Sequence, residues 1–97
     1  MAIVADVSVI PLGEGSSLSR YAKRAIEELQ TSGLPMEIGA MSTTVEASNT
    51  TELFKTVERA KEAVFKMGAK RVYMILRVDE RRDKVITIGT KKKAVMS

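Results

Sequence analysis

Two stretches of the chain place polar side chains inside apolar, extended sequence. Asp6 and Ser8 alternate with valines in the first ten residues, and Glu46 follows a run of hydroxyl residues at 42–44. A carboxylate can balance a cation, and hydroxyl groups can hydrogen-bond an amine. If the fold brings the two stretches together, they form a site for a small polar or cationic ligand. The candidate binding residues are Glu46, Thr43, Asp6 and Ser8.

Each of these features also has a simpler interpretation. The hydroxyl run could be a solvated strand end, and Asp6 could lie at the surface or pair with Arg77 across a sheet. The segment 13–17 has two glycines before a helix, but it lacks the third glycine of the dinucleotide fingerprint. We interpret it as a connecting loop. Residues 81–84 predict a turn whose charges neutralise one another.

The chain contains neither cysteine nor histidine. Disulfide bonds and the common zinc, iron–sulfur and haem sites are therefore excluded. A cysteine nucleophile and a histidine general base are excluded as well. From these counts we expect a protein that is not an enzyme and that uses no cofactor and no metal.

The net charge of +4 mildly favours an anionic partner. Basic residues concentrate in the last quarter of the chain, and a solvated surface explains them more simply than a nucleic-acid patch. Only two tyrosines and two phenylalanines are available for base stacking, so an RNA-binding domain is the weakest alternative. Residues 1–6 lack the basic region of a signal peptide, and no apolar run is long enough to span a membrane. The expected location is cytoplasmic, with no membrane partner.

Hydrophobic periodicity predicts a strand over residues 2–10, followed by a helix capped by Ser16 or Ser17 that runs to about Thr31. Residues 36–47 form either a hairpin with a tight turn near Ser42 or one long bent strand, and the hairpin is favoured.

The second helix is capped by Asn49, with Glu52 at the spacing of a capping box, and Gly68 ends it. A further strand spans residues 70–79. The tail from Val85 fits either a strand or a short helix capped by Thr87.

Both helices must cover one apolar face of the sheet, which predicts a single ferredoxin-like domain over residues 1–97, an α+β two-layer sandwich with βαββαβ order. Three helix residues should be buried against three residues of the first strand, namely Leu29, Val57 and Val64 against Ile3, Val7 and Val9. The other face mixes apolar and polar residues (Val4, Ile10 and Ile75 with Asp6, Ser8 and Arg77). A half-apolar open face on a small core predicts a homodimer or homotetramer.

Five segments, in order, resemble the small thiamine-binding-protein-like family of ferredoxin-like proteins from bacteria, archaea and yeast. They are Asp6–Gly13, Leu18–Tyr21, Met41–Glu46, Gly68–Tyr73 and Asp79–Lys84. The resemblance implies a ferredoxin-like subunit with a C-terminal helix, assembly through sheets into dimers and tetramers, and binding of thiamine or its pyrimidine part without a known reaction.

The chain departs from the family pattern at four positions. Ser42 and Ala47 replace glycines, Gly89 stands where a helix former is expected, and Lys92 where the family buries an aliphatic residue. The expected function is thus a non-catalytic binding protein for a thiamine-like small molecule that works as a homo-oligomer. The alternative is a structural or interaction module without a small ligand.

Overall fold

The computed structural model describes residues 1–96, which form three helices and four strands. The elements in chain order are β1 (Ile3–Pro11), α1 (Ser19–Thr31), β2 (Met36–Ile38), β3 (Thr43–Ala47), α2 (Thr50–Lys66), β4 (Val72–Glu80) and α3 (Ile88–Met96). The strands form one antiparallel sheet in the order β2-β3-β1-β4. This arrangement confirms the predicted ferredoxin-like α+β fold.

The hydrophobic core lies between one face of the sheet and the pair of helices α1 and α2. Successive side chains of a strand point to opposite faces, so the odd-numbered residues of β1 face the helices together. Ile3, Val7 and Val9 are buried there, and Leu29, Val57 and Val64 are each no more than 3% exposed. All six are buried as predicted, and both helices cover the same face.

Helix α2 begins and ends where its sequence predicts. The Glu52 N–H donates to Oδ1 of Asn49 over 2.9 Å, and the Glu52 carboxylate accepts from the N–H of Ser48 over 2.9 Å. The side chain thus reaches one residue further back than in a standard capping box. Gly68, with a φ of +102°, takes the left-handed conformation that closes the helix.

Helix α1 begins later than predicted. Its first residue is Ser19, its N-cap residue is Leu18, and no side chain caps it, so the prediction that Ser16 or Ser17 caps the helix is wrong. Leu18 packs against the core, and this burial fixes the point at which the chain turns into the helix.

The two ambiguous segments resolve into a hairpin and a helix. The Gly39 N–H donates to the carbonyl of Ser42 over 2.9 Å, which closes a hairpin between β2 and β3. In the tail, the Thr90 N–H donates to Oγ1 of Thr87 over 3.0 Å at the start of α3. Helix α3 has no buried residue, so packing contributes little to its stability.

The charged turn after β4 is internally paired, as its sequence predicts. Arg81 pairs with Asp83, and Arg82 pairs with Glu80. Hydrogen bonding from Arg81 lowers the pKa of Asp83 to about 2. No helix of residues 1–96 is long and apolar enough to cross a membrane.

Candidate functional site

The sheet face opposite α1 and α2, here called the open face, carries three of the four candidate residues. Val4 lies opposite Glu46, and Asp6 lies opposite Thr44, in the pairing of β1 with β3. Directly opposite residues of an antiparallel pair share a face. Asp6, Ser8 and Glu46 therefore lie on the open face, on adjoining strands.

The fourth candidate, Thr43, lies on the other face. It pairs with Val7, which faces the helices, and Thr43 itself is only 5% exposed. The structure therefore separates Thr43 from the other three residues and places Thr44 among them instead. The reason is the two-residue period of a strand, because Thr44 and not Thr43 shares a face with Glu46.

Asp6 is held in a network across the sheet. Its Oδ1 accepts from Nε of Arg77 over 2.9 Å, its Oδ2 accepts from Nη2 of Arg77, and Oγ of Ser42 donates to Oδ2 over 3.2 Å. Hydrogen bonding and charge from Arg77 outweigh partial burial and hold the pKa of Asp6 below its ordinary value. Because its oxygens are occupied, Asp6 positions the surrounding residues more readily than it balances a ligand charge.

This network predicts a pH-dependent contribution to stability. A carboxyl group whose pKa is lower in the folded than in the unfolded protein stabilises the fold above its unfolded pKa. The contribution is lost as the pH falls through the folded pKa of Asp6. Arg77→Gln should raise that pKa toward the ordinary value, which a ¹³C NMR titration of the carboxyl carbon would measure. Arg82→Gln is the control, and an unchanged Asp6 pKa in Arg77→Gln would contradict the assignment.

Ser8 has a structural hydrogen bond of its own. Its Oγ donates to the carbonyl of Met41 over 3.1 Å and so ties β1 to the turn between β2 and β3. Ser8 lies next to Asp6 along the open face, but its hydroxyl hydrogen is already used in the bond to the turn.

Helix α3 lies across the open face and encloses a groove of about 480 Å³, here called the α3 groove. Lys92 pairs with Glu37 of β2 over 3.1 Å, and Lys91 pairs with Asp79 of β4. The helix is thus fastened by one ion pair to each edge strand. The residues lining the groove are Val4, Glu37, Ser42, Thr44, Ile88, Lys91 and Lys92, with residues 39–41.

Among the acidic side chains on the open face of residues 1–96, Glu46 is the one whose negative charge no neighbouring cation balances. It lies beside Val4 and two residues from Thr44, both of which line the α3 groove, and it is 9% exposed. Its carboxylate has no hydrogen-bond or ion-pair partner within residues 1–96, whereas Asp6, Glu37 and Asp79 each have one. No buried side-chain oxygen of the described residues lacks a hydrogen-bond partner, so the Glu46 carboxylate still reaches solvent, and a cation that approaches it there finds an uncompensated negative charge.

Sequence reasoning missed several residues that line the groove. Thr44 could have been found from its two-residue spacing to Glu46, which places both on one face. Lys91 and Lys92 come from a helix that lies over the sheet, and no local sequence pattern identifies its contacts. No cluster of three or more potential metal-ligating side chains occurs in the part of the chain that the structure describes.

Comparison with known proteins gives consistent matches over nearly the whole chain. A family described as thiamine-binding protein matches residues 5–96. A UPF0045 protein of Methanocaldococcus jannaschii is 42% identical over 93 residues, covering 96% of this chain and 91% of its own length. The UPF0045 protein YqgV of Bacillus subtilis is 34% identical, covering 95% and 92%.

Two solved structures share the fold. A crystal structure of a protein from Methanocaldococcus jannaschii superposes with a TM-score of 0.89 at 42% identity, covering 96% of this chain and 94% of that one. A Thermotoga maritima protein proposed to act in thiamine biosynthesis or salvage superposes with a TM-score of 0.83 at 27% identity, covering 98% and 99%.

Proposed function

Since this chain belongs to the thiamine-binding protein family, we propose that it binds thiamine, or a small ring cation like it, on the open face beside Glu46. The observation that carries the proposal is the carboxylate of Glu46, a residue that is 9% exposed and has no hydrogen-bond or ion-pair partner among the described residues. Thiamine is a thiazolium cation joined to an aminopyrimidine. The carboxylate balances the cation, and nearby hydroxyl groups can bond the amine.

The charges around the α3 groove support a cationic rather than an anionic ligand. Lys91 and Lys92 are already neutralised by Asp79 and Glu37, so they offer no free positive charge to an anion. Thr44 and Ser42 supply polar groups on the groove wall, and Val4 supplies an apolar floor. Sites for small molecules combine apolar surface with a few placed polar groups in this way.

Calorimetric titration of the wild-type protein with thiamine tests the proposal. We expect saturable binding that weakens as the salt concentration rises, because the main attraction is between opposite charges. No measurable heat at millimolar thiamine, confirmed by equilibrium dialysis, would contradict the proposal. The interaction module without a small ligand would then be the better account of the open face.

We further propose that the protein works as a homodimer or homotetramer joined through the apolar end of the open face. Ile75 and Tyr73 of β4 are 44% and 54% exposed, and Ile10 lies beside them on β1. Adjacent exposed apolar residues are typical of protein interfaces.

Light scattering measures this assembly directly. The wild type should have a mass that is a multiple of 10.6 kDa, and Ile75→Lys should shift it toward the monomer, because a buried lysine at the interface is unfavourable. Phe54→Lys is the matched control, since Phe54 is similarly exposed on α2, on the other side of the molecule. A wild-type monomer at micromolar concentration would refute the assembly.

A further inference from the structure

Helix α3 covers the open face without burying its own side chains. No residue of Ile88–Met96 is buried, although Val4 beneath the helix, on the open face, is only 7% exposed. Val4 lines the α3 groove together with Ile88 and Lys91 of the helix. A helix of nine residues is marginal in water on its own. Its position over the sheet therefore depends on contacts other than burial in a core.

Two ion pairs hold the helix to the edges of the sheet. Nζ of Lys92 lies 3.1 Å from Oε1 of Glu37 on β2, and Lys91 pairs with Asp79 on β4. The four side chains are each about half exposed, between 45% and 55%. Ion pairs with this exposure contribute little to stability and are screened by salt. The helix is thus fastened across the sheet by contacts that break easily.

The start of the helix is anchored more firmly than the rest. Ile86 is 4% exposed, and its N–H donates to the carbonyl of Met1 over 3.0 Å. Thr87 and Thr90 cap the first turn, since the N–H of each donates to the hydroxyl group of the other, over 2.9 and 3.0 Å. Residues 91–96 are all exposed. If the two ion pairs break, this part of the helix can leave the sheet while Ile86 stays in place.

Release of the helix joins two cavities. Beside the α3 groove, the open face holds a groove of about 370 Å³ that is lined by Asp6, Arg77 and Asp79 and is here called the β4 groove. Val4 and Lys91 line both grooves, so Lys91 belongs to the wall between them. When Lys91 leaves Asp79, the two grooves become one.

We propose that α3 is a hinged lid over the open face, with its hinge at Ile86 and Thr87 and with the two ion pairs holding it closed. In the closed state the helix separates the grooves and shields Val4 from water. In the open state the merged groove is accessible to a molecule from solution. Rising salt shifts the equilibrium toward the open state, because it screens both ion pairs.

A single cysteine measures the opening without any ligand, so this test and the test of thiamine binding can fail separately. The chain contains no cysteine, and Val4→Cys places one thiol under the lid. The rate at which an uncharged methanethiosulfonate labels this thiol reports the open population. Adding Lys91→Gln and Lys92→Gln should raise the rate about 2- to 30-fold, because two exposed ion pairs are lost.

Salt should have the same effect as the lysine substitutions. Raising sodium chloride from about 0.05 M to about 1 M should accelerate labelling of Val4→Cys, and the two lysine substitutions should remove most of this dependence. A nearby lysine stabilises the thiolate, which is the reactive form, so loss or screening of the lysines would by itself slow the reaction. An acceleration therefore reports opening of the lid.

Two variants serve as controls in the Val4→Cys protein. Lys61→Gln removes an exposed ion pair with Glu62 on α2 and should leave the labelling rate unchanged. Gly89→Ala should slow labelling by up to about 5-fold, because alanine favours the helical state. The added Cβ meets only Oγ1 of Thr87, at 3.7 Å, which is an ordinary contact.

Urea separates opening of the lid from unfolding of the whole domain. Val64→Cys places a thiol in the core, where global unfolding is needed to expose it, and its labelling should accelerate about 5-fold or more per molar urea. Labelling of Val4→Cys should respond much less, because the lid exposes little surface when it opens. A Val4→Cys rate that ignores salt and both lysines, or that follows urea as steeply as Val64→Cys, would overturn the proposal.

Discussion

Glu46→Gln is expected to weaken thiamine binding about 10- to 150-fold. The substitution keeps the shape of the side chain and removes its charge. A hydrogen bond to a charged group contributes about 1.5–3 kcal/mol, which corresponds to that range of dissociation constants. Because Glu46 lacks a partner within the described chain, no neighbouring cation already uses this attraction. Calorimetric titration of both proteins measures the difference.

Two controls separate the role of Glu46 from general effects of charge and of hydroxyl loss. Glu62→Gln makes the same chemical change on the exposed surface of α2 and should leave thiamine binding unchanged. Thr43→Val should also leave binding at Glu46 unchanged, because Thr43 lies on the other face of the sheet. Equal affinity in the wild type and Glu46→Gln, with fold and mass preserved, would remove Glu46 from the site.

Leu29→Ala should lower the free energy of unfolding by about 2–5 kcal/mol. Leu29 is 2% exposed and packs in the cluster that joins α1 to the sheet. Truncation removes buried methyl groups and leaves a cavity that the neighbouring residues fill only in part. For a domain of this size the loss is a large fraction of the total stability.

Denaturant unfolding at one fixed protein concentration measures this loss, since self-association also contributes to apparent stability. Val95→Ala is the matched control, because Val95 is 84% exposed on α3 and its truncation should change stability by no more than about 0.5 kcal/mol. A change below about 1 kcal/mol in Leu29→Ala would contradict the assigned core.

The sequence was sufficient to predict the fold because its strongest patterns are local and periodic. The alternation in β1 and β4 identified which residues face the helices, and the Asn49 cap identified the start of α2. The pairing of Asp6 with Arg77 was one of several alternatives, and the register between β1 and β4 selects it.

The remaining features depend on tertiary contacts. Helix α1 begins at a position fixed by the burial of Leu18, which outweighs the capping preference of the nearby serines. Thr43 and Thr44 are indistinguishable as hydroxyl residues, and only the strand register separates their faces. The pairing of β1 with β4 continues to Pro11 but its pairing with β3 stops at Val7, and no motif in either segment encodes this difference.

The position of β1 between β3 and β4 also determines when the open face can assemble during protein synthesis. β1 precedes both partners, and its pairing with β4 spans most of the chain. Contacts between distant residues form late and slow down folding. While a ribosome is still producing residues before 72, α1 and α2 can form, but β1 lacks one neighbour and Asp6 lacks Arg77. The open face is therefore completed after the helices, and nascent chains expose one unpaired edge of β1, which is prone to aggregation.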